Sequence, residues 1–214
     1  MSKYENKNLC AKCGGKCCRS GGCIIDISQF REFNKENLKA LILTGMITID
    51  WWESDPRDEL EELRDRGKAT DYDIKILEEY KDIPYVPEAY LIRMKELGDN
   101  DIVIGSWDGQ CMLHHLYGEC PLELEYRPAE AATMIPNPDR IHPDLRVRFN
   151  ASCSDGDETY TKRYIAIRGL PYHDMMESVC EDIYDNYDVK NIKYDKYKSI
   201  ETYKRIIKPT KYDD

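Results

Sequence analysis

The sequence predicts an α+β protein: a small, irregular, cysteine-rich core stapled by metal, with short strands including a hairpin, several helices and a helical C-terminal tail. Three observations predict it. Five of the nine cysteines (Cys10, Cys13, Cys17, Cys18 and Cys23) fall within fourteen consecutive residues as C-x2-C-x3-C-C-x4-C. Short β-branched and aromatic runs are interspersed with segments that carry helix caps. From Glu181 onward the composition changes, with eight acids, eight bases and six tyrosines intermixed.

The elements follow in order. Ile24-Ile25-Asp26-Ile27 reads as a short strand, and Ser28 can cap a first helical turn. Asn34 caps a better helix, with Leu38, Leu41 and Ile42 on one face and Gly45 at its end. Met46 to Trp52 is β-branched and aromatic, hence a strand. Asp55-Pro56 opens a helix over 57–66 that contains only Leu60 and Leu63 as apolar residues. That poverty predicts a solvated helix and makes 57–82 an exposed insertion.

Ala89–Met94 and Asp101–Trp107 read as two strands joined by Gly98-Asp99-Asn100, a candidate hairpin. Residues 146–149 make a further strand, Tyr160 to Arg168 a helix closed at Gly169, and Asp174 caps a helix containing Met176, Val179, Cys180 and Ile183. Residues 1–180 are thus read as one cysteine-cluster metal-binding domain and 181–214 as a Tyr/Lys-rich helical extension, either packed on that domain or presented to a partner.

The expected compartment bears on the thiols. The first residues are polar and no run is apolar enough to span a bilayer, so a cytoplasmic location is expected, where thiols stay reduced. An odd number of cysteines fits a pure disulfide framework poorly. Metal ligation is therefore preferred over a disulfide knot or idle thiols for the cluster, while Cys180 suits the role of a small buried hydrophobe.

The net charge is −10, and seventeen acids against eight bases occupy 50–101, which excludes a duplex DNA-binding surface. A protein or peptide partner remains compatible, and oligomeric state is open. From Met1 to Cys23 five bases meet only Glu5, a balance that favours thiolates.

Cys10 and Cys13 resemble a zinc-knuckle pair, with Gly14 and Gly15 supplying the freedom of the turn. Cys17 and Cys18 point to opposite sides of an extended backbone, so one can face the first site while the other supports a second or stays free. Neither the C-x3-C-x2-C nor the ferredoxin spacing is present. A second constellation runs from Gly109 to Pro128. Cys111 and Cys120 each follow a glycine-containing turn, and Cys120-Pro121 is expected to open a helical turn whose amides lower the thiol pKa. His114 and His115 are candidate ligands, and Arg127 can pair with Glu123.

The order CxxC…CC, then Asp-Gly-x-Cys, Gly-x-Cys-Pro and a later Arg-Pro, resembles the cysteine-cluster (CxxCxxCC) putative zinc- or iron-chelating family, over roughly Cys10 to Pro136. The resemblance implies Cys10, Cys13, Cys17, Cys18, Cys111 and Cys120 as metal ligands. The chain departs from the pattern twice. Three residues precede the CC pair, and 129–133 lacks the cysteine expected after Arg127-Pro128. Cys23, His142 or Cys153 could replace it, and one four-ligand site is the expected count.

Flagellin lysine methylases are similar in the cysteine motif, which would imply an iron–sulfur protein that modifies lysines with S-adenosylmethionine. Three functions follow as expectations. The first is a cysteine-ligated metalloprotein in redox, metal handling or protein maturation. The second is a methyltransferase-like modifier, although no nucleotide fingerprint or nucleophile–base pair is present. The third is a zinc-stapled interaction module. Thiolate number exceeds the need of one tetrahedral ion, which favours an iron–sulfur cluster over Zn2+.

Overall fold

The computed structural model describes residues 24–104, 111–128, 134–136, 145–147 and 158–210, together with Asn8 and Ala131. The architecture is α+β. A three-stranded antiparallel sheet, ordered β1-β3-β2, comprises β1 (Ile24–Ile25), β2 (Ile47–Trp52) and β3 (Ala89–Met94). Around it lie α1 (Lys35–Ile42), α2 (Asp58–Asp65), α3 (Asp71–Glu79), α4 (Met112–Tyr117), α5 (Glu158–Gly169), α6 (His173–Asn186) and α7 (Lys196–Ile206). A separate two-stranded ribbon pairs β4 (Met134–Pro136) with β5 (Leu145–Val147). No helix among the described residues is long and apolar enough to cross a membrane.

Side-chain alternation along the strands divides the core in two. Ile25, Ile47, Ile49, Ile92 and Met94 face a cluster completed by α1, α6 and α7, whose Leu38, Leu41, Val179, Ile183, Tyr203 and Ile206 are buried. Ile24, Ala89 and Leu91 face a second cluster with Leu60, Ile76, Leu77 and α5. The sheet is therefore covered on both faces, which explains why β3 is buried along almost its whole length.

Two expectations are corrected. Most side chains of 57–82 are exposed, as a solvated helix requires, but the segment is anchored in the core rather than standing free of it. Leu60 is 0% exposed, and Ile76 and Leu77 are buried with it. A buried clamp holds this segment. Arg57 Nε and Nη2 donate to Asp55 at 2.9 and 2.6 Å, and its Nη1 donates to the Tyr80 and Ile83 carbonyls at 2.8 Å each. Few apolar residues suffice because Leu60, Ile76 and Leu77 sit at contact points and an arginine satisfies the loop carbonyls.

The predicted hairpin is also absent among the described residues, which include 101–104 of its second strand. β3 pairs with β1 on one edge and β2 on the other, so no edge remains for the chain after Asn100. Val103 instead bridges Ile49 in parallel, with Ile49 N donating to Ile102 O at 2.7 Å and Ile104 N to Ile49 O at 2.8 Å.

The tail is helical, as expected, and α7 is capped by Asp195, whose carboxylate accepts from Lys198 N. It buries Tyr203 and Ile206 against α1, and Ser199 Oγ donates to Thr44 O at 2.8 Å. Tyr184, Tyr187 and Tyr197 are exposed. Gly45 ends α1 with φ 71°, and its Cα faces the backbone of Tyr194 closely enough that a Cβ there would lie 3.0 Å from Tyr194 N.

Candidate functional site

Cys10, Cys13, Cys17, Cys18, Cys23, His142 and Cys153 lie outside the described residues. Cys111, Cys120, His114 and His115 lie within them. Cys111 is tied to the end of the central strand: it bridges Glu96, and Met112 N donates to Lys95 O at 2.9 Å. It stands at the N-terminus of α4, and His115 N donates to its carbonyl at 3.0 Å. The helix closes at Gly118, whose φ of 68° is the left-handed conformation that glycine adopts without a Cβ penalty. Cys120 follows two residues later.

Cys111 is 3% exposed and Cys120 half-buried, and both pack into the cluster with Leu113 and Leu122. His114 is buried and His115 exposed. Cys120-Pro121 does not open a helical turn. Proline disfavours helical backbone in the residue before it, and the next turn is the 3-10 turn Leu124–Tyr126. The helix-terminus argument for a lowered thiol pKa therefore does not apply to Cys120.

The chain beyond Cys120 is tied back to the start of the described chain. Arg127 is buried, its Nε donates to Leu122 O at 3.1 Å, and its carbonyl accepts from Gln29 Nε2 at 3.2 Å. Glu123 is ion-paired with Lys204 on α7. The β1–β3 register sets Ile24, the residue directly after Cys23, opposite Arg93. Glu96, the bridge partner of Cys111, is three positions further along, about 10 Å of extended chain. Ile24 and Cys111 thus attach to the same end of β3.

The same end carries a charge network that the sequence reading missed. Arg93 and Asp50 are both 0% exposed. Arg93 Nε donates to Asp50 at 2.7 Å, and its Nη1 donates to Asp99 at 3.0 Å and to Met94 O at 3.2 Å. Asp99 also accepts from Glu96 N at 2.8 Å, which shapes the turn after β3. Burial pushes the Asp50 carboxyl above its usual range, only partly offset by the Arg93 guanidinium. Burial also holds the nearby Lys95 ammonium below its usual value. Strand parity was the available signal, since Arg93 shares the face of Ala89 and Leu91.

Cys180 is 6% exposed within the first core cluster, and burial pushes its thiol up to about 12. Among the described residues, His173, Asp174 and Glu177 are the group whose candidate ligand atoms lie within 4.8 Å of one another. Its two carboxylates are exposed, and His173 Nδ1 is already 3.2 Å from Asp174, so this is an ordinary solvated helix start. No protein-family model, curated protein or solved structure matches the chain.

Proposed function

We propose that the protein is a cysteine-ligated metalloprotein of the reducing cytoplasm, with an iron–sulfur cluster preferred over zinc and a role in redox, metal handling or protein maturation. One observation carries this reading. The β1–β3 register and the Glu96–Cys111 bridge set Ile24, the residue that follows Cys23 in sequence, and Cys111 at one end of the central strand, which supports a shared centre. The donor set fits a soft metal, because Cys111 and Cys120 offer sulfur from a poorly solvated surface where thiolate charge needs a counter-charge. Cys10, Cys13, Cys17 and Cys18 would supply further ligands, with Cys23, His142 or Cys153 in reserve. Bound metal would supply folding free energy as well as chemistry.

Anaerobic purification followed by iron, zinc and acid-labile sulfide analysis with a visible spectrum tests this. A brown protein with iron and sulfide supports the cluster, and a colourless protein with zinc supports a staple. A metal-free, fully folded protein refutes both. The lysine-modifying alternative rests on the motif resemblance, and absence of heat on titration with S-adenosylmethionine would refute it. As a zinc-stapled module, the chain would instead use its acidic surface to hold a protein or peptide partner.

A further inference from the structure

Trp51 on β2 and Tyr90 on β3 are direct cross-strand partners, and α6 passes beside them. Between strands and helix lies a cavity of about 440 Å³. Its aromatic walls are Trp51, Tyr90 and Tyr184, and three carboxylates line it, those of Glu88, Glu177 and Glu181. No basic side chain lines it among the described residues. The remaining lining is Val103 and Cys180, the latter nine-tenths buried, in no disulfide, and with its thiol pushed up to about 12 by burial.

The walls are held in place. Tyr90 stacks on His173 with ring centroids 4.9 Å apart, and its hydroxyl donates to Glu88 at 3.2 Å. The Tyr184 hydroxyl donates to Asp101 at 2.5 Å. Both hydroxyls are committed to carboxylates and His173 covers one face of Tyr90, so what the two side chains offer a ligand is the remaining ring surface that lines the cavity.

We infer that this cavity is a binding site for a small organic cation, of the quaternary ammonium class. Aromatic faces attract a diffuse, weakly hydrated cation through their quadrupole. Carboxylates around the rim add long-range attraction without requiring N–H donors from the ligand. A strongly hydrated inorganic ion gains little here, because the indole and phenol faces cannot replace its water. An anion is excluded by the three carboxylates. This inference is independent of the metal reading, since it uses none of the candidate ligands.

The test titrates the full chain with tetramethylammonium and with choline at fixed ionic strength, followed by calorimetry and tryptophan fluorescence. The neutral choline isostere 3,3-dimethylbutan-1-ol and sodium chloride are the controls. Saturable one-site binding of both cations is expected. The double substitution Glu177→Gln and Glu181→Gln, at exposed positions, should weaken binding about tenfold with the circular dichroism spectrum unchanged. Trp51→Leu should weaken it roughly three- to fivefold. The inference is overturned by absence of saturation, by equal affinity for the neutral isostere, by sodium competing on equal terms, or by wild-type affinity in the double Gln variant.

Discussion

Replacing Arg93 by leucine tests the reading of the buried charge network most directly. The guanidinium is fully enclosed and donates to Asp50, Asp99 and the Met94 carbonyl. Leucine fills part of the volume but leaves the Asp50 carboxylate, itself fully enclosed, without its 2.7 Å partner. Breaking a buried pair from one side costs about 3–5 kcal/mol. With a urea dependence of roughly 2 kcal/mol per molar, the unfolding midpoint should fall by about 2 M.

The loss should depend on pH in a definite direction. The Asp50 carboxyl already lies above its ordinary value of 3.8 in the folded protein, and without Arg93 it rises further. A raised folded pKa stabilises below the unfolded value and that contribution is lost as pH rises through the folded value. The gap between Arg93→Leu and the parent should therefore narrow on acidification from neutral toward pH about 4. Pairing Arg93→Leu with Asp50→Leu should recover much of the loss at neutral pH. Urea melts followed by circular dichroism measure all three. A midpoint for Arg93→Leu close to the parent's, or a gap that widens in acid, would refute the reasoning.

Asp55→Asn should destabilise by roughly 2–3 kcal/mol at neutral pH, because it weakens the clamp on the Arg57 guanidinium. Burial raises the Asp55 carboxyl but the hydrogen bonds from Arg57 and Val86 outweigh it, so it sits below the usual range. Its contribution is thus complete above the unfolded value of 3.8 and fades as pH falls through the folded value, so the two proteins should converge in acid melts. Gly45→Ala should cost about 1–2 kcal/mol or more, since it places a Cβ at positive φ and crowds the Tyr194 backbone, read as a lower thermal midpoint. Cys13→Ser and Cys120→Ser should each lose metal, whereas Cys180→Ser should retain it; full metal content in either of the first two removes the shared-centre proposal. The Cys180 thiol, pushed up to about 12 by burial, should react with Ellman's reagent at pH 8 only after unfolding.

Local signals carried far in this chain. Asn34, Gly45 and the Leu38/Leu41/Ile42 spacing define α1, and the β-branched runs define β2 and β3, because caps and side-chain periods act over a few residues. The α+β class was legible from those alone. The cysteine spacing points to soft-metal chemistry as an expectation of the sequence, since thiolate density is a property of the chain.

Pairing was not legible. Gly98-Asp99-Asn100 has hairpin chemistry, yet β3 already has both edges filled, so Val103 turns to the outer edge of β2. Leu60 and Leu63 predict only a solvated helix, but a single side chain suffices to anchor it when other elements supply the rest of the cavity, here α3 and α5. The sequence by itself determined the elements with strong caps or side-chain periods, α1, β2 and β3 among them, but not α3, α4 or the fate of 101–104, where Val103 makes a single bridge. Only the tertiary structure decided what faces what: Arg93 against Asp50, the aromatic pair against α6, and Ile24 and Cys111 at one end of β3. The reason is that strand edges and burial are shared resources of the whole chain, allocated by contacts between residues far apart in sequence.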